Sequence, residues 1–274
     1  MCRLLGYCAR DEAALADLIG DDGLGQFIAL SELHRDGWGM AWYEGPDRGD
    51  TGPVIRKSPL SADEPEFEKL ARQPLGDLGL VHLRWATPGL AVNDLNTHPF
   101  SYGSYAFAHN GAVHPQHRLP EILAPRWEAR VAGTTESERY LLAIMSRLEA
   151  HRGDAVPAIA DAASDIESRF APNSLNAILL SPRYLYGICW HDRAKVPAAK
   201  LRERGYEDRP EEIAAYFDLA CLTGTDAVVV ASSGWSQAGW TPVPNRHVVV
   251  VERTTLNTQV LPLIPRQLHA DRGG

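Results

Sequence analysis

Short runs of apolar residues predict β-strands, and most of these runs lie in the early and late parts of the chain. Their apolar residues either alternate with polar ones or form continuous stretches, as expected of strands with one or both faces buried. The predicted strands cover residues 3–9, 36–43 (a turn leading into a strand), 78–85, 104–109, 175–180, 184–190, 226–231, 247–252 and 258–263.

The middle of the chain carries the clearest helical pattern. Apolar residues spaced at i, i+3, i+4 and i+7 predict an amphipathic helix over residues 137–149; they are Leu141, Leu142, Ile144, Met145 and Leu148. Thr135 with Glu138 three residues later forms a capping-box pattern that marks the start of this helix. A second helix is predicted over residues 155–170.

Weaker patterns fill the remaining segments. A short helix is predicted over 64–73, and residues 11–33 have a helical pattern in pieces with a break at Gly23-Leu24-Gly25. Segments rich in Gly, Pro or charged residues predict exposed loops or a loose end at 45–53, 194–212 and 266–274. Strands at both ends with helices between them favour a layered α+β fold over alternating βαβ units.

Composition and charge narrow the classes of function. With 274 residues, 45% hydrophobic and 23% charged, the chain has the composition of an ordinary globular protein. A net charge of −8 without a basic block argues against a nucleic-acid surface, and no apolar run approaches the ~20 residues that span a membrane. No signal-peptide pattern is present, and the four cysteines form no disulfide framework. We therefore expect a cytoplasmic protein.

The first residues, Met1-Cys2-Arg3, are a candidate reactive centre. Initiator Met is normally removed before a small residue, and its removal would leave Cys2 with a thiol and a free α-amine. An α-amine titrates near ~7.7–8, so at neutral pH it can accept a proton from the thiol. On its own this pattern is weak, because many proteins carry Cys at position 2 by chance.

Polar clusters follow three of the predicted strands or turns. Each cluster has an ordinary structural interpretation. Arg84-Trp85-Ala86-Thr87 could be a surface Arg beside a core Trp. Asn96-Thr97-His98-Pro99 could be a turn, and His109-Asn110-Gly111 could be a type I′ turn. Each also has a functional reading. Arg84 could bind a carboxylate with its planar fork, and Asn110 with the Gly111 N–H could form an oxyanion hole.

Taken together and in this order, the motifs resemble those of class II glutamine amidotransferases, a branch of the N-terminal-nucleophile hydrolases. The resemblance runs from Cys2 to about residue 190 and more faintly beyond. The matching motifs are Cys2, Asp36-Gly37-Trp38-Gly39, the three polar clusters and Gly133-Thr134-Thr135-Glu136. It implies a four-layer α/β/β/α sandwich of two antiparallel sheets, formed by a single domain over residues 2–265.

The resemblance also implies roles for individual residues. Cys2 would be the nucleophile with its own amine as base, and Asn110 and Gly111 would hold the oxyanion. Arg84 would bind the α-carboxylate of a glutamyl group and Glu136 its α-ammonium; the family usually has Asp at that position. The other residues implied at the substrate are Trp85, Thr87, His98 and His109. For Glu136 a purely structural role, an acid in the first helical turn, is the alternative.

The implied reaction is hydrolysis of the γ-amide of glutamine or of a γ-glutamyl amide through a γ-glutamyl thioester, with no cofactor and no metal. Beyond residue 190 the chain is too short for a synthase domain. Either a separate ammonia-accepting subunit is the partner, or a γ-glutamyl amide is the substrate and its amine the product. No nucleic-acid or membrane partner is expected.

Two functions of other classes remain open. His114-x-x-His117 could be a ligand pair of a metal hydrolase, although it lies in a Pro-containing loop without a nearby Glu or Cys set. A non-catalytic protein that binds a γ-glutamyl compound is the other alternative. Such a protein would be expected to lose Cys2 or Asn110, and both are present.

Overall fold

A computed structural model describes residues 2–45, 52–206 and 209–266. Two antiparallel sheets contain all thirteen strands of this part of the chain. The strands are β1 Arg3–Ala13, β2 Trp38–Tyr43, β3 Val54–Ser58, β4 Gly76–Leu83, β5 Phe100–Tyr102, β6 Tyr105–Asn110, β7 Asn176–Leu180, β8 Tyr184–Cys189, β9 Leu219–Thr223, β10 Ala227–Ser232, β11 Thr241–Pro242, β12 His247–Glu252 and β13 Thr258–Pro262.

The helices lie between and around these strands. In the described residues the α-helices are α1 Leu15–Ala29, α2 Pro65–Ala71, α3 Pro125–Glu128, α4 Glu136–Ala150, α5 Ala155–Arg169, α6 Ala198–Leu201 and α7 Pro210–Ala214. Short 3₁₀ turns cover Leu30–Glu32, Asp94–Asn96, Gln116–Ile122 and Arg193–Lys195, and a π-type turn covers Arg202–Tyr206. None of these helices has the length and apolar character needed to cross a bilayer.

The two sheets face each other. Sheet I has the order β11-β9-β10-β1-β4-β2-β3 and sheet II the order β13-β12-β8-β7-β6-β5. Successive side chains of a strand point to opposite faces, so Leu4 and Cys8 of β1 pack between the sheets, whereas Leu5 and Tyr7 face the helices outside sheet I. The space between the sheets is filled by apolar side chains from both, such as Val230 and Ile178.

Helices cover the two outer faces. Leu24 and Phe27 of α1, with Phe67 of α2, pack on sheet I, and α4 and α5 pack on sheet II through side chains such as Tyr140 and Ile159. Because helices lie outside each of two facing antiparallel sheets, the predicted α/β/β/α sandwich is confirmed.

The predicted start of α4 is confirmed, with one difference. The Glu138 N–H donates to Thr135 Oγ1 at 3.3 Å, as in a capping box. The Glu138 carboxylate instead accepts the backbone N–H groups of Ala132 and Gly133, each at 2.8 Å. The acid therefore fixes the chain that enters the helix, immediately before the residues that reach the candidate site.

Three local predictions are wrong. Residues 11–13, predicted as part of a helical segment, belong to β1, because Ala13 pairs with Gly76 of β4. The helical segment after β1 breaks at Gly20, where φ is +75°, and not at Gly23-Leu24-Gly25, because burial of Leu24 holds that stretch in the helix. The segment 194–212 is not simply an exposed loop. It contains α6, the π-type turn and the start of α7, and the structure buries its few large apolar side chains against Trp85.

Some predictions concern residues that the structure does not describe. Most of the predicted 45–53 loop lies outside the described residues, as do residues 267–274 of the predicted loose end. Arg266, the last described residue, donates its backbone N–H to Asp161 Oδ1 at 2.8 Å. A single domain over residues 2–265 stays a prediction.

Candidate active site

Cys2 lies at the end of the sandwich where the two sheets meet. It directly precedes β1 of sheet I, and its backbone N–H donates to Oδ1 of Asn110, the last residue of β6 in sheet II, at 2.9 Å. The thiol contacts the Trp85 carbonyl oxygen, with Sγ at 3.7 Å. The cleft beside Cys2 is lined by most of the residues that the sequence singled out: Arg84, Trp85, Thr87, His98, His109, Gly111 and Glu136.

Burial favours the protonated form of the Cys2 thiol. The side chain is buried, and this burial raises the pKa of the thiol, while the Arg84 guanidinium is among the groups that oppose the shift. A thiolate is the reactive form of cysteine. A nucleophilic role for Cys2 would therefore require a base that accepts the thiol proton.

Asn110 is fully buried, and only one end of its amide group is hydrogen-bonded. Its Oδ1 accepts the Cys2 N–H, which fixes the orientation of the amide, and its Nδ2 has no hydrogen-bond partner in the described part of the chain. A buried donor without a partner costs about 1–3 kcal/mol. Such a donor beside a nucleophile is suited to an oxygen that acquires negative charge during a reaction.

Gly111 follows Asn110 where the backbone passes very close to another segment. A Cβ atom at this position would lie 1.9 Å from the Ser174 carbonyl oxygen and 2.7 Å from His109 Nε2. Any side chain would therefore displace the backbone that carries Asn110. The Asn-Gly pair here ends a strand of sheet II at a close backbone approach.

His109 is engaged on both ring nitrogens. Nε2 lies 3.0 Å from the Ser174 carbonyl oxygen, so it carries the proton, and Nδ1 accepts from the Ser137 hydroxyl at 2.9 Å. Burial lowers the pKa of His109 to about 4, so the ring is neutral at pH 7. Its ring supports the backbone near Gly111, and the predicted direct contact with substrate stays a prediction.

Arg84 is a buried cation without a carboxylate partner among the described residues; it is 3% exposed. One guanidinium nitrogen donates to the Asp36 carbonyl oxygen at 3.3 Å and another to the Ala91 carbonyl oxygen at 3.1 Å. Burial lowers the pKa of Arg84, although an arginine side chain remains charged at neutral pH. The group is held in place and retains donors for an anion.

Glu136, the first residue of α4, is a buried acid that lines the same cleft. Oε1 accepts a weak hydrogen bond from the Thr87 hydroxyl at 3.4 Å, and Oε2 has no partner in the described residues. Burial raises the pKa of Glu136, and hydrogen bonds and the Arg84 charge oppose this shift. The cleft thus contains one buried cation and one buried acid, as a ligand with both charges would require.

His98 lines the cleft and is stacked on His82, with ring centroids 4.0 Å apart. Burial holds the pKa of both rings well below the usual value of a histidine, so both are neutral. The segment of His98 lies directly on β2, where a Cβ at Gly39 would come 2.0 Å from the His98 carbonyl oxygen. The second glycine of the Asp36-Gly37-Trp38-Gly39 motif therefore allows His98 to reach the site.

Asp36 and Asn96 belong to the sequence motifs, and the structure gives each of them a role in positioning other residues. The Asp36 carboxylate accepts the Ala86 N–H at 2.8 Å, while its carbonyl holds Arg84. Asn96 Oδ1 accepts the Thr134 N–H at 2.9 Å and thereby ties the His98 segment to the turn before α4. Both residues position the groups that line the cleft.

The alternative of a metal hydrolase with His114 and His117 as ligands finds no support in the described residues. In the residues that the structure describes, no group of three or more His, Cys, Asp or Glu side chains is placed to hold a metal ion, at His114 and His117 or elsewhere.

Comparison with known proteins identifies the family. The family model described as "Glutamine amidotransferases class-II" matches residues 1–271. The chain belongs to this family.

The relatives include proteins of different lengths. The chain is 29% identical over 112 residues to the probable glutamine amidotransferase DUG3 of Saccharomyces cerevisiae, which covers 39% of this chain but only 31% of that protein. It is 26% identical over 262 residues to the gamma-glutamyl-hercynylcysteine sulfoxide hydrolase of Mycolicibacterium smegmatis, covering 92% of this chain and 96% of the relative.

Among solved structures, a glutamine aminotransferase class-II domain protein from Silicibacter pomeroyi has the same fold. The TM-score is 0.64 at 18% identity, with 96% of this chain and 100% of the other covered.

Proposed function

We propose that this enzyme hydrolyses the γ-amide of glutamine or of a γ-glutamyl amide through a thioester on Cys2. The observation that carries the proposal is the set of incompletely paired buried groups around the Cys2 thiol. Asn110 Nδ2 and Glu136 Oε2 have no partner in the described residues, and the Arg84 guanidinium faces no carboxylate there. A glutamyl group would supply a carbonyl oxygen, an ammonium and a carboxylate to these three groups.

Removal of Met1 would convert the Cys2 N–H that Asn110 holds into an α-amine. This amine takes the thiol proton, and the thiolate attacks the γ-carbonyl carbon. Negative charge on the former carbonyl oxygen is stabilised by Asn110 Nδ2 and the Gly111 N–H. The C–N bond then breaks, and the leaving amine takes the proton from the Cys2 ammonium. Water cleaves the thioester in a second attack with the same base, which releases glutamate.

The cleft at Cys2 is narrow, with about 20 Å³ of free volume. A separate ammonia-accepting subunit stays a prediction.

The test is glutamate release from glutamine and a panel of γ-glutamyl amides by the mature enzyme, with Cys2→Ala as the matched control. We expect release only with the thiol present, and a mass increase equal to a glutamyl residue on the N-terminal peptide after rapid acid quench. If Cys2→Ala releases glutamate as fast as the wild type, or if no substrate of this class is turned over, the proposal fails.

A further inference from the structure

A larger cavity adjoins the Cys2 cleft and shares part of its wall. Its volume is about 300 Å³, and Trp85, Ala86 and Thr87 line both spaces. The opposite wall belongs to α6 and the π-type turn, which contribute Pro197, Lys200, Glu203 and Arg204. We call this space the side chamber.

The size of the side chamber exceeds what ammonia requires. A water molecule, which is close to ammonia in size, occupies about 30 Å³ in the liquid, and cavities of ~300 Å³ and above are typical of sites for small organic molecules. Ala112, which directly follows the Asn110-Gly111 pair, also lines the side chamber. The side chamber is therefore the neighbouring space available to the amine half of an amide bound at Cys2.

The charges of the side chamber favour an anionic group. Among its described lining residues the charged ones are Lys200, Arg204 and Glu203. Lys200 makes no ion pair in the residues that the structure describes. The Arg204 guanidinium lies 4.3 Å from the centre of the Trp85 ring and donates to the Leu33 carbonyl oxygen at 3.1 Å, so this cation is held against the shared wall.

We propose that the side chamber binds the amine half of the substrate and that this half carries a carboxylate, as in a γ-glutamyl amino acid. The inference rests on the proposed function and specifies its substrate class. Lys200 and Arg204 together contribute the carboxylate-binding charge, and Trp85 packs against the body of the leaving amine. Glutamine, which has only an NH₂ group at this position, leaves the side chamber empty.

The test compares three substrates with one glutamyl group: γ-glutamyl-alanine, γ-glutamyl-alaninamide and glutamine. The first two match in size and differ by one negative charge. Because Lys200 and Arg204 are exposed, we expect kcat/KM for γ-glutamyl-alanine to exceed that for γ-glutamyl-alaninamide about two- to fivefold, as for exposed ion pairs. Lys200→Gln should reduce this ratio about twofold, and Lys200→Glu should bring it to about one or below. Lys69→Gln, an exposed lysine on α2, is the control and should leave the ratio unchanged.

The outcomes separate the two proposals. If none of the three substrates is hydrolysed, the proposed function is wrong. If all are hydrolysed but the wild-type ratio is close to one, or the ratio is the same in both Lys200 variants as in wild type, the carboxylate assignment is wrong while the proposed function stands. A raised KM for γ-glutamyl-alanine alone in Lys200→Gln would support binding of the carboxylate in the side chamber.

Discussion

Replacing Arg84 by Ala would test whether this residue binds the α-carboxylate of the substrate's glutamyl group. A guanidinium group has five N–H donors, and two carbonyl oxygens, of Asp36 and Ala91, accept one each. Three donors remain for an α-carboxylate in a site where Arg84 is 3% exposed. Removing one partner of such a sheltered charge pair costs about 2–5 kcal/mol, which corresponds to a loss of ~30-fold to several thousand-fold in kcat/KM.

The assay compares glutamine with 4-aminobutanamide, which lacks the α-carboxylate. In wild type we expect a strong preference for glutamine, and in Arg84→Ala this preference should largely disappear. Arg84→Lys should recover little of it, because a single ammonium does not reproduce a bidentate fork. The substitution also leaves two carbonyl oxygens without a donor, so the free energy of unfolding is measured for each variant. Equal use of both amides by wild type would refute the assignment of Arg84.

Four other predictions concern the same site and its surroundings. Asn110→Asp keeps an acceptor for the Cys2 N–H but removes the donor, so kcat should fall about 10²–10³-fold without a comparable rise in KM. One extra residue before Cys2 should abolish turnover and leave the urea midpoint unchanged; full activity of a verified extended chain would exclude the self-base mechanism. Glu136→Asp keeps the charge and should retain measurable kcat/KM for glutamine, whereas Glu136→Gln should not. Four buried histidines have a pKa lowered by burial and stay neutral in the folded protein: His34, His82, His98 and His109. In the unfolded chain they take up protons near pH 6.5, so the free energy of unfolding should decrease as the pH falls below about 6.5, by up to ~1.4 kcal/mol per histidine and pH unit. Urea unfolding curves at several pH values measure this decrease.

Much of the candidate site could be predicted because its residues follow strands in short, recognisable motifs. Arg84 and Asn110 lie at or beside the ends of β4 and β6, and sheet geometry brings such ends together. The sequence could not show that Asp36 accepts the Ala86 N–H or that both His109 nitrogens have protein partners, since these contacts depend on strand register and on residues far apart in the chain.

The wall of the side chamber was missed for a physical reason. Its apolar residues are few and widely spaced among charged ones, so no helical or strand period is visible around Leu201, Tyr206 and Ile213. They are buried because Trp85 and Phe217 lie beneath them, which is a tertiary effect. Strand β3 was missed similarly: Val54–Ser58 is a partly exposed edge strand that includes Arg56 and Lys57.

Arg3 connects the candidate nucleophile to the wall of the side chamber. This buried residue, next to Cys2, lies with its guanidinium carbon 4.1 Å from the centre of the Tyr216 ring and donates to the Tyr216 carbonyl oxygen at 3.3 Å and to the Tyr206 hydroxyl at 3.4 Å. The segment that borders the side chamber therefore cannot be replaced independently of the residues next to Cys2. Grafting a different segment to obtain a new specificity would have to supply equivalent partners for Arg3, or the exchange would disturb the residue beside the nucleophile.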